Sequence, residues 1–339
     1  MAFLVIELTN RCNLNCRHCL DGRNNADGDL DMAILDRIVQ EASAQGYRHI
    51  SLTGGEPTLH PEFSLIIEKI RNGGYTYGIV TNGWNFQESI HSLLPHLDRL
   101  SGVTFSLDGA GEDTHDRIRG RGSFRRLMGA ISVCVLKNIP FTFNTLLTSN
   151  NVHELEKIAQ LAQELRGESL RFGHLIATPR SVKHSLDLSP DQKKDIEARI
   201  LRIQKEFDMP IFIAPGHYTA NLFPCDPLQM REVNIDWRGN ITLCCHLSGL
   251  RNHGSSDDII GNMKSMTLSR ACTLLSELNR EFRVKKSQHF AGTAAADADN
   301  FPCWYCLNYF NKIEWLREFP ENPWHDSIWM ERVNRRVHK

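Results

Sequence analysis

Apolar positions along the chain follow two rhythms. Short runs, FLVIEL (3–8), HISLTGG, YGIVTNG, VTFSLDG, PFTFNTLLT and SLRFGHLIA, have the length and β-branched content of buried strands. Between them lie stretches with apolar residues three and four positions apart. These are LDMAILDRIVQEASAQG (30–46), PEFSLIIEKIRNGG, WNFQESIHSLLPHL, a segment near 124–137, NVHELEKIAQLAQELRG and SPDQKKDIEARILRIQKEF. That spacing predicts helices, and several carry Pro near the start or Gly at the end. The alternation gives about six β/α units and predicts a parallel sheet or an incomplete barrel. Ligand sites in such folds gather at the C-terminal ends of the strands.

From about 209 the rhythm breaks. NIDWRGNITLCC reads as a hairpin turning at Arg238, Gly239 and Asn240. A helix is expected near 266–281. The stretch RVKKSQHFAGTAAADADN (283–300) is small, polar and weakly periodic, and reads as a mobile loop. PCWYC and a helical segment near 308–318 follow. The expected division is a barrel domain over 1–208, a small second domain over 209–318 and a C-terminal tail over 319–339. No repeat beyond the β/α unit is visible.

The chain has 339 residues, 39 Lys and Arg against 40 Asp and Glu, and a net charge of −1. Nothing in that balance points to nucleic acid or an anionic membrane as a partner. The apolar run Ala2–Ile6 is too short for a signal peptide and no basic segment precedes it. No stretch reaches a transmembrane length. The expectation is a cytoplasmic protein. Ten cysteines there point to metal or redox chemistry rather than disulfides.

The cysteines fall into two sets. The first is RCNLNCRHCLDG, with Cys12, Cys16 and Cys19 directly after the first strand. Iron–sulfur cubes normally take four thiolates, so three leave one iron open. A small molecule with an amine beside a carboxylate can chelate that iron. The C-x3-C-x2-C pattern resembles the signature of radical S-adenosylmethionine (radical SAM) enzymes. The likeness continues in Gly54-Gly55-Glu56-Pro57 after the second strand, Asn82 in TNG after the third, and Ser106 and Asp108 in SLDG after the fourth. Asn144 in the fifth strand belongs to the same series.

The resemblance covers roughly 1–205. It implies a partial (β/α)6 TIM-like barrel, a [4Fe–4S] cluster and S-adenosylmethionine. In that family an electron from the cluster cleaves the sulfonium and releases a 5′-deoxyadenosyl radical, and the protein supplies placement. An external electron donor such as flavodoxin or ferredoxin is implied. The GGEP turn would contact the methionyl amine, its glycines allowing close approach to a ligand. Glu56 would either orient that turn or accept from the amine. Asn82, Ser106, Asp108 and Asn144 would contact ribose and carboxylate. His18 takes the place of an aromatic near adenine. Arg119 would pair with the cofactor's carboxylate. Arg125 and Arg126, in the same arginine-rich stretch, read as solvated.

The second set is Cys225, Cys244, Cys245, Cys303 and Cys306, with Cys134 and Cys272 read as structural. Their spacing resembles the auxiliary-cluster module called SPASM, or its shorter form, twitch. A full SPASM pattern has further cysteines downstream, and here none follows Cys306. The resemblance implies one auxiliary [4Fe–4S] cluster on Cys225, Cys244, Cys303 and Cys306. The same four residues can hold zinc. Strand alternation would turn Cys245 away from Cys244. Cys245 is then either a buried thiol or a hydrogen donor facing substrate, as in the family's peptide epimerases.

Two catalytic readings follow. One is modification of a ribosomally made peptide, by Cα epimerisation or cross-linking. The loop begins at Cys12, so a separate leader-binding protein or direct recognition is expected. The other is dehydrogenation of a small alcohol in natural-product biosynthesis. A non-catalytic zinc or iron–sulfur binding protein is a third reading, of another class.

Overall fold

The computed structural model describes residues 2–20, 28–250, 256–292 and 295–330. In chain order the elements are β1 (Phe3–Glu7), α1 (Met32–Glu41), β2 (His49–Thr53), α2 (Phe63–Asn72), β3 (Thr76–Thr81), α3 (Phe86–Leu93) and β4 (Leu100–Ser106). Then come α4 (Glu112–Arg119), α5 (Ser123–Lys137), β5 (Phe141–Leu147), α6 (Leu155–Glu164), β6 (Leu170–His174), α7 (Pro179–Lys183) and α8 (Pro190–Ile203). The remainder is β7 (Ile211–Ile213), β8 (Glu232–Ile235), β9 (Asn240–Thr242), α9 (Cys245–Gly249), β10 (Ile259–Asn262), α10 (Leu268–Ala291) and α11 (Pro302–Tyr309).

All the strands share one sheet, in the order β10-β9-β8-β1-β2-β3-β4-β5-β6-β7. From β8 to β7 every neighbour is parallel, and β9 and β10 add antiparallel. The order ends at β10 and β7, so the sheet is a partial barrel and not a closed one. Alternation along each strand decides what faces where. Leu4 and Ile6 of β1 and Ile50 and Leu52 of β2 join the core with Ile34, Leu35 and Ile38 of α1 and Ile66, Ile67 and Ile70 of α2. The alternate positions, Val5, Ser51, Thr53, Val80, Ser106 and Asn144, line an interior cavity.

The C-terminal third is built into this sheet. β8 pairs with β1 in register Phe3↔Glu232 to Ile6↔Ile235, and β7 pairs with β6. The hairpin falls where the sequence placed it, with Gly239 at φ +82°.

Three segments differ from expectation. The stretch from 283, expected as a mobile loop, is helical to Ala291, and a short 3-10 turn spans Asp297–Asn300. Phe282, Lys286 and Phe290 are four apart on α10, and the buried Lys286 broke the apolar stripe that would have marked it. Residues 112–119 form α4, with Thr114, His115 and Ile118 buried on one face. Beyond 318 the chain stays packed as far as Trp329, with Trp324 and Ile328 buried and Met330 exposed; the rest of the expected tail lies outside the described residues. No described helix is long and apolar enough to cross a membrane.

Candidate active site

The loop after β1 carries Cys12, Cys16 and Cys19. Its start is stitched to the turn after β2: Gly55 N donates to Thr9 O at 2.7 Å and Glu56 N to Arg11 O at 2.8 Å. A Cβ on Gly54 would land on the carbonyl oxygen of Thr9, and one on Gly55 on that of Arg11. The glycines are therefore needed for backbone-to-backbone approach, which places the cysteine loop. Glu56 orients the turn. It is fully buried and accepts from Thr58 N and Oγ1, Thr81 Oγ1 and Asn82 N. Pro57 opens the short helical turn that follows. Asn82 reaches back from β3: its Nδ2 donates to Asn13 Oδ1 at 2.9 Å and lies 3.8 Å from Cys12 Sγ. Asn13, which the sequence reading passed over, thus fixes the loop beside its first thiol.

A second group closes over the loop. Arg119 Nε donates to Asp108 Oδ2 at 2.5 Å, and Leu146 N donates to Asp108 Oδ1 at 2.8 Å. Burial pushes the Asp108 carboxyl up, but Arg119, then His18 and His115, outweigh it and hold it below the usual range. The expected partner of Arg119 was the cofactor's carboxylate; here Asp108 takes its Nε. His18 stands 3.7 Å from Asp108, and burial pulls its pKa down to about 4, so it is neutral at pH 7. Its Nδ1 is buried without a partner. Burial raises the Cys16 thiol to about 12, although Arg119 opposes this. Ser106 and Asn144 are register partners on β4 and β5, and both line the cavity with His18 and Arg119.

That cavity has a volume of about 670 Å³ and runs on to the second cysteine set. Cys225, Cys244, Cys245, Cys303 and Cys306 all line it. They come from the segment before β8, the end of β9, the start of α9 and α11. Cys244 caps α9, its Sγ accepting from His246 N at 3.4 Å. Cys245 opens that helix. The strand alternation expected to separate the two cysteines is therefore overturned: the chain has already turned helical, and both thiols reach one cavity. His246 Nδ1 lies 3.7 Å from Cys303 Sγ. Burial, reinforced by neighbouring thiols, raises Cys225 and Cys303; burial carries Cys306 to about 12, although Lys286 opposes it. Cys134 is buried in the α5 face, and Cys272 meets Tyr47 Oη at 3.5 Å, both away from these sets.

Among the described residues no three His, Cys, Asp or Glu side chains meet at one metal-ion point. The donor chemistry fits iron–sulfur clusters at both places: three thiols on the loop that carries the cavity-lining His18, and five thiols, with His246 beside Cys303, at the cavity's far end. Buried lysines were the main omission of the sequence reading. Lys193 of α8 lies over the Trp324 ring at 4.3 Å and lines the cavity; Lys286 of α10 lies over Tyr305 at 4.7 Å.

Residues 6–162 match the family model of the radical SAM superfamily. That segment, a little under half of the chain, is a radical SAM domain. Proteins of that superfamily use a [4Fe–4S] cluster and S-adenosylmethionine. The matched segment runs from β1 through most of α6 and contains Cys12, Cys16, Cys19 and the GGEP turn. The AdoMet-dependent heme synthase of Methanosarcina barkeri is 32% identical over 206 residues, 59% of this chain and 58% of that one. The PqqA peptide cyclase of Ruegeria pomeroyi is 29% identical over 267 residues, 75% of this chain and 70% of that one. The match thus spans little more than half of the first relative's length. Streptococcus suis SuiB, in a crystal structure bound to its precursor peptide SuiA, shares the fold with a TM-score of 0.67 at 15% identity, over 82% of this chain and 66% of that one.

Proposed function

We propose that this chain modifies a ribosomally made peptide by radical chemistry, by inverting a Cα centre or cross-linking side chains. The observation that carries the proposal is the single cavity that joins His18, Ser106, Arg119 and Asn144 to the second cysteine set. A substrate segment held there lies between the two thiol sites. The names of the PqqA peptide cyclase and of SuiB with its precursor peptide support a peptide substrate. When bound, the cluster and S-adenosylmethionine supply a 5′-deoxyadenosyl radical that takes a hydrogen atom from substrate.

The chain's own residues do the placing. Cys12, Cys16 and Cys19 hold the first cluster, with Asn82, Asn13 and the Gly54–Pro57 turn fixing their loop. Ser106 and Asn144 offer polar groups to the ribose, and the neutral His18 faces the adenine. Asp108 keeps Arg119 oriented at the cavity wall. Cys225, Cys244, Cys303 and Cys306 hold an auxiliary [4Fe–4S] cluster, as the twitch-like spacing suggests. Cys245 presents an S–H to the same cavity and returns a hydrogen atom to the substrate carbon. Its sulfur radical then takes up one electron and one proton, the electron from an external donor such as flavodoxin or ferredoxin.

Anaerobic incubation with precursor peptides encoded nearby, in D2O, tests this. Inversion places one solvent deuterium on the changed carbon, and Cys245→Ala stops inversion while 5′-deoxyadenosine is still released. A loss of two hydrogens means cross-linking. No 5′-deoxyadenosine from the reduced, iron-loaded protein would sink the proposal. The name of the heme synthase relative specifies heme, a small molecule, and supports a small-molecule substrate as the second reading, dehydrogenation of a small-molecule alcohol. Oxidised small-molecule product without solvent deuterium would support that instead.

A further inference from the structure

Lys286 is an ammonium with almost no access to water, only 1% exposed. It projects from α10 against α11, its Nζ 4.7 Å from the Tyr305 ring centre and 5.8 Å from that of Phe290. Tyr305 lies between Cys303 and Cys306 in sequence. Burying such a charge costs several kcal/mol unless an anion is near. Burial pulls the Lys286 pKa down, and the charges that oppose this are Cys306, Cys225 and Cys303, ahead of Asp299. Asp299 has partners of its own in His289 Nε2 at 2.8 Å, Ala296 N at 3.0 Å and Trp329 Nε1 at 3.0 Å. The other two buried lysines among the described residues differ: the first opposing charge of Lys193 is the carboxylate of Asp187, and Lys312 stands 2.8 Å from Asp258 Oδ1. As thiolates around a metal centre, Cys225, Cys303 and Cys306 would supply the anionic charge that a buried ammonium needs.

We infer that Lys286 is the built-in counter-charge of the site formed by Cys225, Cys244, Cys303 and Cys306, and that it raises the reduction potential of the cluster held there. The inference rests on the reading of those four cysteines as ligands of an auxiliary [4Fe–4S] cluster. Reduction adds one electron, and so one negative charge, to the cluster. A fixed cation in a low-dielectric setting favours the more negative state. Lys286 is thus a positioning residue that acts through the cluster rather than on substrate. Its effect would make the auxiliary centre a better acceptor for an electron leaving the cavity.

The test uses the full chain with Cys12→Ala, Cys16→Ala and Cys19→Ala, reconstituted without oxygen, so that only the second site can hold iron. Iron and sulfide are counted, and the cluster is titrated with dithionite and dye mediators. Against this parent, Lys286→Met lowers the equilibrium constant for one-electron reduction about tenfold, a fall of about 59 mV. Lys286→Arg, which keeps the charge, stays within about threefold of the parent. If Lys286→Met loses the cluster while Lys286→Arg keeps it, the counter-charge role is supported, because charge rather than bulk retains the iron. An unchanged potential in a fully loaded Lys286→Met, or loss of iron in both variants, overturns the inference. A parent that holds zinc, or no iron, overturns the reading of the four cysteines as cluster ligands, and the inference with it.

Discussion

Asp108 is a carboxylate shut away from solvent, and its worth lies in what it holds. It takes Arg119 Nε on one oxygen and Leu146 N on the other. Arg119 is itself nearly buried, so deleting the carboxylate strands a guanidinium. Breaking a buried pair from one side costs about 3–5 kcal/mol. Asp108→Asn should therefore destabilise the chain by that order in urea unfolding. The pH dependence has a fixed sign. Arg119 and the two histidines hold the folded carboxyl below its ordinary value of 3.8 despite burial. The stabilisation is fully present above that value and is lost as pH falls through the lower folded value. Native protein should lose stability below about pH 4 more steeply than Asp108→Asn, measured on cluster-free chains so that acid release of iron plays no part. Parallel curves for the two proteins would mean that the pair is not formed. None of this pairing was legible in the sequence. SLDG marks Asp108 as a site residue, but its partner arrives from a helix that the pattern did not reveal.

Elements were legible where one face is apolar without interruption. α1, α2 and α6 carry unbroken buried stripes, and the sequence places them well. α10 was cut short because Asn279 and Lys286 sit in its buried stripe and read as polar breaks. The second cysteine set was legible as spacing, yet the cap at Cys244 was not, since CCHLSG continues a strand pattern into a short helix. The segment beyond 318 looked like a tail because it is short and irregular. Two tryptophans anchor it: Trp329 donates Nε1 to Asp299 Oδ1 at 3.0 Å, and Trp324 is the more deeply buried. Trp324 is 2% exposed, donates Nε1 to Leu188 O at 2.7 Å, and packs on Trp304 and Phe301 at 4.6 and 5.2 Å between ring centres. Truncating a buried aromatic of this kind costs about 3–5 kcal/mol. Trp324→Ala should lower unfolding stability by that order, and a stop after residue 318 should cost no less. A loss under about 1 kcal/mol in denaturant titration would show that the segment is not part of the cavity wall.

At the scale of the molecule, the two regions separated at residue 208 in the sequence share one sheet. β8 is the parallel neighbour of β1, the strand that delivers the first cysteine loop, and Phe3 N donates to Arg231 O at 2.8 Å. The far side is tied as well. Arg37 of α1 donates to Met263 O at 2.8 Å, and Glu41 accepts from Leu268 N at the start of α10. A fragment of residues 1–208 would lose Val233 and Ile235, both fully buried, from beside β1. At about 1.5–3 kcal/mol for each side chain, that alone is comparable with the net stability of many domains, about 5–15 kcal/mol. It would also leave β1 as an open edge, a template for aggregation. The full chain should therefore unfold in one transition, seen alike by circular dichroism and tryptophan fluorescence, and the 1–208 fragment should be recovered aggregated and without cluster. The alternative is a self-sufficient barrel carrying an appended module. It would give two separate transitions and a soluble fragment that binds iron at Cys12, Cys16 and Cys19. Sheet pairing on both flanks of the barrel favours the single unit, because β1, the strand that leads into the first cysteine loop, is paired with β8 of the second region.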